Sequence, residues 1–331
     1  MLDVRLDGNR IHIGERFSVS FQRTLRIPED DQTYPLPPSL GLFRIHRVAD
    51  FAANLPATWQ ERSGYFIAMY QREALWLGFD GADWKPNAVK VAVGGVNAVS
   101  GTVWEEGLDD QEQNYLVCPD QPWLDGINAG DGFIKQFVAS PLGFDNTVEG
   151  QITGREETGG IQLVVYEPKP GRFPDEPPIS SEPDITIMES MGMGLEMGLG
   201  AGGQIKQKIY EDPYGIDTWD QNNLGRLQVH ILNSEQYKLI TGLDLPLTPV
   251  SAQTYAEYGL PWFDLYDESL RNIAASRKLA AVKTLGQKDR ESGKAGEIDR
   301  GSIDVKKLPV QKLGKEKKSQ PHTHKKETGN G

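Results

Sequence analysis

One cysteine, Cys118, in a chain of 331 residues excludes an intrachain disulfide and fits a reducing compartment. It stands in an apolar context, YLVCP, with no neighbouring base, so it reads as a buried structural thiol rather than a nucleophile. There are five histidines. Outside the tail pair His322 and His324, none stands at ligand spacing from another His, a Cys or an acid on one element, and no metal site is expected. No GxSxG, Walker loop or HExxH occurs, so no catalytic residues and no cofactor are assigned. No apolar run is long enough to span a bilayer, and the opening residues MLDVRLDGNR carry acids where an export signal needs bases. The expected location is cytoplasmic, with no membrane contact.

The charge that is present is divided unevenly. From Arg271 onward there are 16 Lys and Arg against 7 Asp and Glu, a net of +9. Subtracting these from the chain's 35 and 47 leaves 19 against 40 in residues 1–270, a net of −21. An acidic body therefore carries a basic tail. Such a body repels nucleic acid and anionic surfaces, while the tail suits anionic partners or the acidic body itself.

Short apolar runs punctuated by turn residues fill the first half: YFIAMY, ALWLGF, AVKVAV, GTVW, NYLVC, FIKQFVA, NTVEGQITG and IQLVVY. Residues 2–6 and 10–13 read as a hairpin around Asp7-Gly8-Asn9, and Phe17, Val19 and Phe21 alternate with polar residues as in a half-buried strand. Many short strands at this spacing predict a sandwich or barrel. A short helix is expected near residues 47–54. Residues 1–166 form this predicted β-rich domain. Six prolines follow in EPKPGRFPDEPPISSEP, and residues 167–187 read as a stiff linker.

Residues 188–203, MESMGMGLEMGLGAGG, combine methionine and glycine, and the reading is a pliable apolar connector. Gly198, Gly200 and Gly203 match GxGxxG, but no buried strand precedes them and no long helix follows, so a dinucleotide site is not expected. Beyond, residues 188–285 read as a mixed α/β segment. It holds a strand at Gln204–Tyr210, another containing Leu227, Val229 and Ile231, a helix starting at the N-S-E-Q box of Asn233, one capped by Ser251, and a longer one from Asp264. Residues 286–331 are highly charged and read as a disordered basic tail.

The densest polar and aromatic stretch is PDQPWLDGINAGDGFIKQF, residues 119–137. Trp123, Asp125, Asn128 and Asp131 are placed there in a Gly-rich loop, and with Trp84 they are the candidate ligand-binding residues. Tryptophan beside acids and amides is what a sugar face or a partner hot spot needs. The alternative for each Trp is packing in the core. The three oxygens at spacing three do not match the alternation of a calcium loop. Glu73, Glu105 and Glu106 are the carboxylates considered for an acid pair of the glycosidase kind.

At YQREALWLGFDG, WKPNAVKVAVGGVNAVSG, the block from Tyr115 to Gly154, and MGLGAGGQIKQKIYEDPYGIDTWD, the chain resembles a group of uncharacterised bacterial proteins. The resemblance covers residues 2–267, excludes the tail, and implies neither activity nor ligand.

The sequence thus predicts a mainly β fold, sandwich or barrel-like, with a smaller C-terminal α/β segment and a disordered tail. The expected role is non-enzymatic binding or assembly through Trp/Asp-rich loops, with a protein partner or self-association. A carboxylate-based hydrolase acting on glycans is the alternative, with glycan as the second partner class.

Overall fold

Strand pairing builds the molecule from two arms that share one core. A computed structural model describes residues 1–176, 196–244, 247–265, 270–293 and 303–313. In the first arm, Arg10–Ile13 pairs with Phe17–Thr24, which pairs with Ala74–Asp80, then Phe133–Pro141, then Glu196–Lys206, all antiparallel. In the second, Tyr65–Met69 lies parallel to Trp219–Asn233, which pairs antiparallel with Ile161–Pro168, and that with Asn87–Val93. The arms join where Glu196 and Met197 meet Leu232 and Ile231. They approach again where the Leu2 amide donates to the Leu224 carbonyl at 2.9 Å. Phe17, Val19 and Phe21 from one arm and Val89, Val91, Val93, Leu163 and Val229 from the other are buried together. The fold is mainly β, as the alternation of apolar residues predicts.

Strand periodicity also explains the outer layers. Phe66 and Ala68 point away from the shared core and are covered by Val48, Leu55, Trp59, Tyr237 and Ile240 from short helical turns. Ala88, Val164 and Tyr166 on the second arm are covered by Leu108, Tyr115 and Trp219. Lys90, on that same outward face, is fully buried and donates to the Gly107 carbonyl, with its ammonium 5.7 Å from the centre of the Trp104 ring.

Several local expectations change. Residues in NTVEGQITG form a helix, Val148–Thr153, because the Thr147 side chain accepts the Gly150 amide and caps it. Where a helix is expected from Asp264, Asp264 and Leu265 instead end a strand, Trp262–Leu265, held by two backbone hydrogen bonds between Leu36 and Phe263, both 2.9 Å, and residues 266–269 lie outside the described residues. The connector of residues 188–203 lies outside the described residues up to 195. Its remainder opens the strand Glu196–Lys206, the last strand of the first arm and the one that joins the second. Its glycines are required there by crowding. A Cβ on Gly200 would stand 2.7 Å from Leu285 Cδ2, and one on Gly203 would stand 2.4 Å from the Pro28 carbonyl oxygen. The two halves read from the sequence therefore meet within one sheet. The linker's residues 177–187 lie outside the described residues. Before them, Phe173 packs edge-on against Tyr214 at 5.2 Å, and Lys85 pairs with Asp175 at 2.7 Å.

The basic tail is also partly structured. Thr284 and Gln287 form a capping box for the helix Leu285–Glu291, Arg72 pairs with Asp289 at 2.6 Å, and Glu29 accepts the Gly286 amide. The strand Val310–Leu313 lies parallel to Trp262–Leu265. Residues 294–302 and 314–331, where the disordered tail was also expected, lie outside the described residues. No helix among the described residues is long and apolar enough to cross a membrane.

Candidate functional site

The residues placed in a Gly-rich loop lie largely on strands. Trp123–Leu124 pairs with Ala74–Asp80, Gly126–Gly130 pairs with Phe133–Pro141, and Asp131 sits at the turn between Gly130 and Phe133. Alternation along an extended chain then sends neighbours to opposite sides. Trp123 is half-buried, with its ring set edge-on to Trp76 at 6.3 Å. Asp125 and Asn128 are buried, each only 2% exposed.

The buried pair binds the chain's own segments. Asp125 Oδ2 accepts from Gln207 Nε2 at 2.8 Å, while the Asp125 amide donates to Gln207 Oε1 at 3.0 Å. Burial raises the Asp125 carboxyl to about 7, against the lowering effect of the Gln207 hydrogen bond. Asn128 Nδ2 donates to the carbonyls of Val99 at 3.1 Å and Ala274 at 3.0 Å. Exposed Asp131 accepts from Asn272 Nδ2 at 3.2 Å. Residues 270–282 are therefore a strap laid across this strand. Ser276 Oγ donates to the Ser100 carbonyl at 2.6 Å, and Lys135 Nζ donates to the carbonyls of Ala280 and Val282 at 2.8 and 2.6 Å. Trp84 is half-buried beneath the Arg16 guanidinium, 5.7 Å from its ring centre, and Arg16 is ion-paired with Glu167.

Of the five candidates, Trp123 alone lines the cleft that the structure shows beside this region. Leu36, Gln121, Lys206, Gln207, Tyr210 and Asp264 share the lining with it. Two of these amides are already engaged. Gln121 Nε2 donates to the carbonyls of Trp123 at 3.1 Å and Lys208 at 3.3 Å, and its Oε1 accepts the Tyr210 amide at 3.0 Å. Across the mouth, Lys206 Nζ reaches both oxygens of Asp264, at 2.8 and 3.0 Å, in a half-exposed pair. The cleft thus has an aromatic wall, an exchangeable ion pair at its rim and amides locked behind it. Lys206, Gln207 and Asp264 escaped the sequence reading. The outward alternation of Gln204, Lys206, Lys208 and Tyr210 was the signal for the first of them.

The acids considered for a catalytic pair have other duties. Glu73 is buried against Arg23, with Arg23 Nε 2.6 Å from Oε1, and it accepts the Tyr70 amide at 2.9 Å. Burial raises the Glu73 carboxyl and Arg23 opposes the rise. Glu106 is exposed and ion-paired with Arg226, which holds its carboxyl below the usual range. Glu105 is exposed in the same loop. Cys118 is fully buried with its thiol against the Gln121 carbonyl at 3.3 Å, and burial pushes the thiol's pKa up. His46 and His230 are core residues. His46 Nε2 meets Tyr237 OH at 2.7 Å, and His230 stacks on Trp59 at 4.3 Å. Burial lowers both imidazoles to about 4.

Comparison with family models, curated proteins and solved structures finds no match to this chain.

Proposed function

We propose that this is a non-enzymatic binding or assembly protein of the cytoplasm, taking a ligand or partner at the Trp123 cleft. One observation carries the reading. Trp123 offers a half-buried ring to the cleft while the polar groups around it are fixed by the chain itself, the Asp125–Gln207 pair behind it above all. A wall held in place before binding loses little freedom when occupied. Among the described residues Asp264 is the carboxylate lining the cleft, and Lys206 holds it. A glycoside hydrolase needs two acids facing one sugar, so the described lining favours binding over hydrolysis. The basic tail is read as a second contact, toward anionic partners or the acidic body.

Titration of tryptophan fluorescence with a panel of neutral and acidic oligosaccharides tests the glycan form of this reading. Saturable quenching lost in Trp123→Ala supports a binding cleft. Release of new reducing ends, lost in Asp264→Asn, would replace it with the hydrolase reading. With neither response, the same Trp123→Ala variant is compared with the wild type for particle mass by light scattering. A smaller mass in the variant puts a protein partner, or a second copy, at this cleft.

A further inference from the structure

The first hairpin carries a short stretch of unused sheet edge. Its strand Val4–Asp7 pairs antiparallel with Arg10–Ile13, with Arg5 opposite His12 and Asp7 opposite Arg10, and the residues flanking it are all described. The Gly14 amide donates to the Asp3 carbonyl at 2.8 Å, so the hydrogen-bonded rungs of this ladder fall at Asp3, Arg5 and Asp7. The backbone groups of Leu2, Val4 and Leu6 therefore face the opposite edge. Two of them are met there, the Leu2 amide by the Leu224 carbonyl at 2.9 Å and the Val4 carbonyl by the Tyr65 hydroxyl at 3.4 Å. The amide and carbonyl of Leu6 have no partner among the described residues. The Leu6 side chain packs half-buried against the core and holds the strand in place. On either side of it Arg5 and Asp7 are exposed. Arg10, opposite Asp7, is ion-paired with Asp80 instead. Arg5 donates to the Gly14 carbonyl at 3.3 Å.

We propose that two copies of the chain associate through this edge, antiparallel about a twofold axis that passes between their Leu6 residues. Each Leu6 amide then donates to the partner's Leu6 carbonyl, which satisfies the unused groups of both. In that register Arg5 stands directly opposite the partner's Asp7, and Asp7 opposite the partner's Arg5. Both are non-hydrogen-bonded positions, where facing side chains lie closest. This charge complementarity names a second copy as the occupant. The stretch Arg5-Leu6-Asp7 complements itself when reversed, as a twofold contact requires. A register centred on Arg5 would set two guanidinium groups face to face and would need the Val4 carbonyl, which Tyr65 already uses. The contact is short, so it forms a weak, reversible dimer whose two charge pairs decide whether it holds. The inference does not rest on the Trp123 cleft.

The test is sedimentation of the full-length chain from about 10 to 500 μM, a range that populates associations of micromolar to submillimolar strength. The wild-type mass is expected to rise from 36.7 kDa toward twice that value. Arg5→Asp sets acid against acid twice, and Asp7→Arg sets base against base twice. Each single variant is expected to stay monomeric throughout the range. The double variant Arg5→Asp/Asp7→Arg restores opposite charges in both pairs and is expected to regain the dimer, which a loss caused by misfolding would not do. Trp123→Ala is expected to dimerise as the wild type does. A wild type that stays monomeric overturns the proposal, as do single variants that still dimerise or a double variant that does not. A dimer dissolved by Trp123→Ala but not by Arg5→Asp also overturns it and moves the contact to the cleft.

Discussion

Acidic side chains are buried in two regions of this molecule on opposite terms. Beside the helix Val148–Thr153, Glu149 accepts three consecutive backbone amides, those of Glu157, Thr158 and Gly159, at 3.1, 2.7 and 2.8 Å. Glu156 in turn accepts the amides of Gly143, Phe144, Asp145 and Thr147, and the Thr147 hydroxyl at 2.6 Å. On the other side, Asp125 has the amide of Gln207 at 2.8 Å. Burial would raise the Glu156 carboxyl, but these donors hold it below the usual range, whereas burial takes Asp125 up to about 7. The number of donors aimed at a carboxylate decides whether burying it fastens a loop or loads the fold with a cost.

The sharpest way to break the comparison is Glu149→Ala. It leaves three inward-facing amides without acceptors, and a loss of roughly 3–9 kcal/mol is expected at about 1–3 per orphaned group, read from denaturant midpoints. Asp125→Asn should act in the opposite direction. The carboxyl's folded pKa of about 7 lies above its unfolded value near 3.9, so the wild-type fold loses stability as pH rises through that window. The variant should match the wild type near pH 4 and exceed it by up to about 4 kcal/mol at pH 8; an equal gain at both pH values would show that charge is not the cause. Gln207→Leu removes the partner and should cost roughly 2–3 kcal/mol, with a smaller cost in the Asp125→Asn background, as a double-mutant cycle would show. Glu156→Gln is the gentlest change, about 1 kcal/mol after screening by solvent. Because this carboxyl is held low, its contribution is present above the ordinary Glu range and lost as pH falls through the folded value. The wild-type and variant curves should therefore converge in acid.

Sequence alone carried the strands well where one face alternates, as at Phe17, Val19 and Phe21, or where a run is apolar throughout, as in IQLVVY. It failed at glycine. The same residue that signals a pliable connector is also what a crowded strand needs, and only the neighbours distinguish the two. At Gly200 and Gly203 those neighbours are Leu285 and Pro28, 85 and 175 positions away in the chain. The tail helix had a legible mark, the capping-box spacing from Thr284 to Gln287, but its apolar anchor is the single side chain of Leu285, too little for a periodic stripe. In the candidate site, Trp123 was legible because a large aromatic among turn residues stands out. Asp125 and Asn128 were misplaced because composition cannot tell a polar group that awaits a ligand from one already satisfied by Gln207 or Ala274.

The pairing order also bears on how the chain is made. A nascent chain that has reached residue 190 already holds Phe133–Pro141 and Ile161–Pro168, but the partners that complete them, Glu196–Lys206 and Trp219–Asn233, have yet to be synthesised. Two buried strands thus wait with open sides while translation proceeds, and the body closes only after residue 233 has left the ribosome. Early termination within residues 170–215 should yield insoluble fragments rather than a smaller folded unit, which makes the glycine-rich strand the last part of the body the chain can do without.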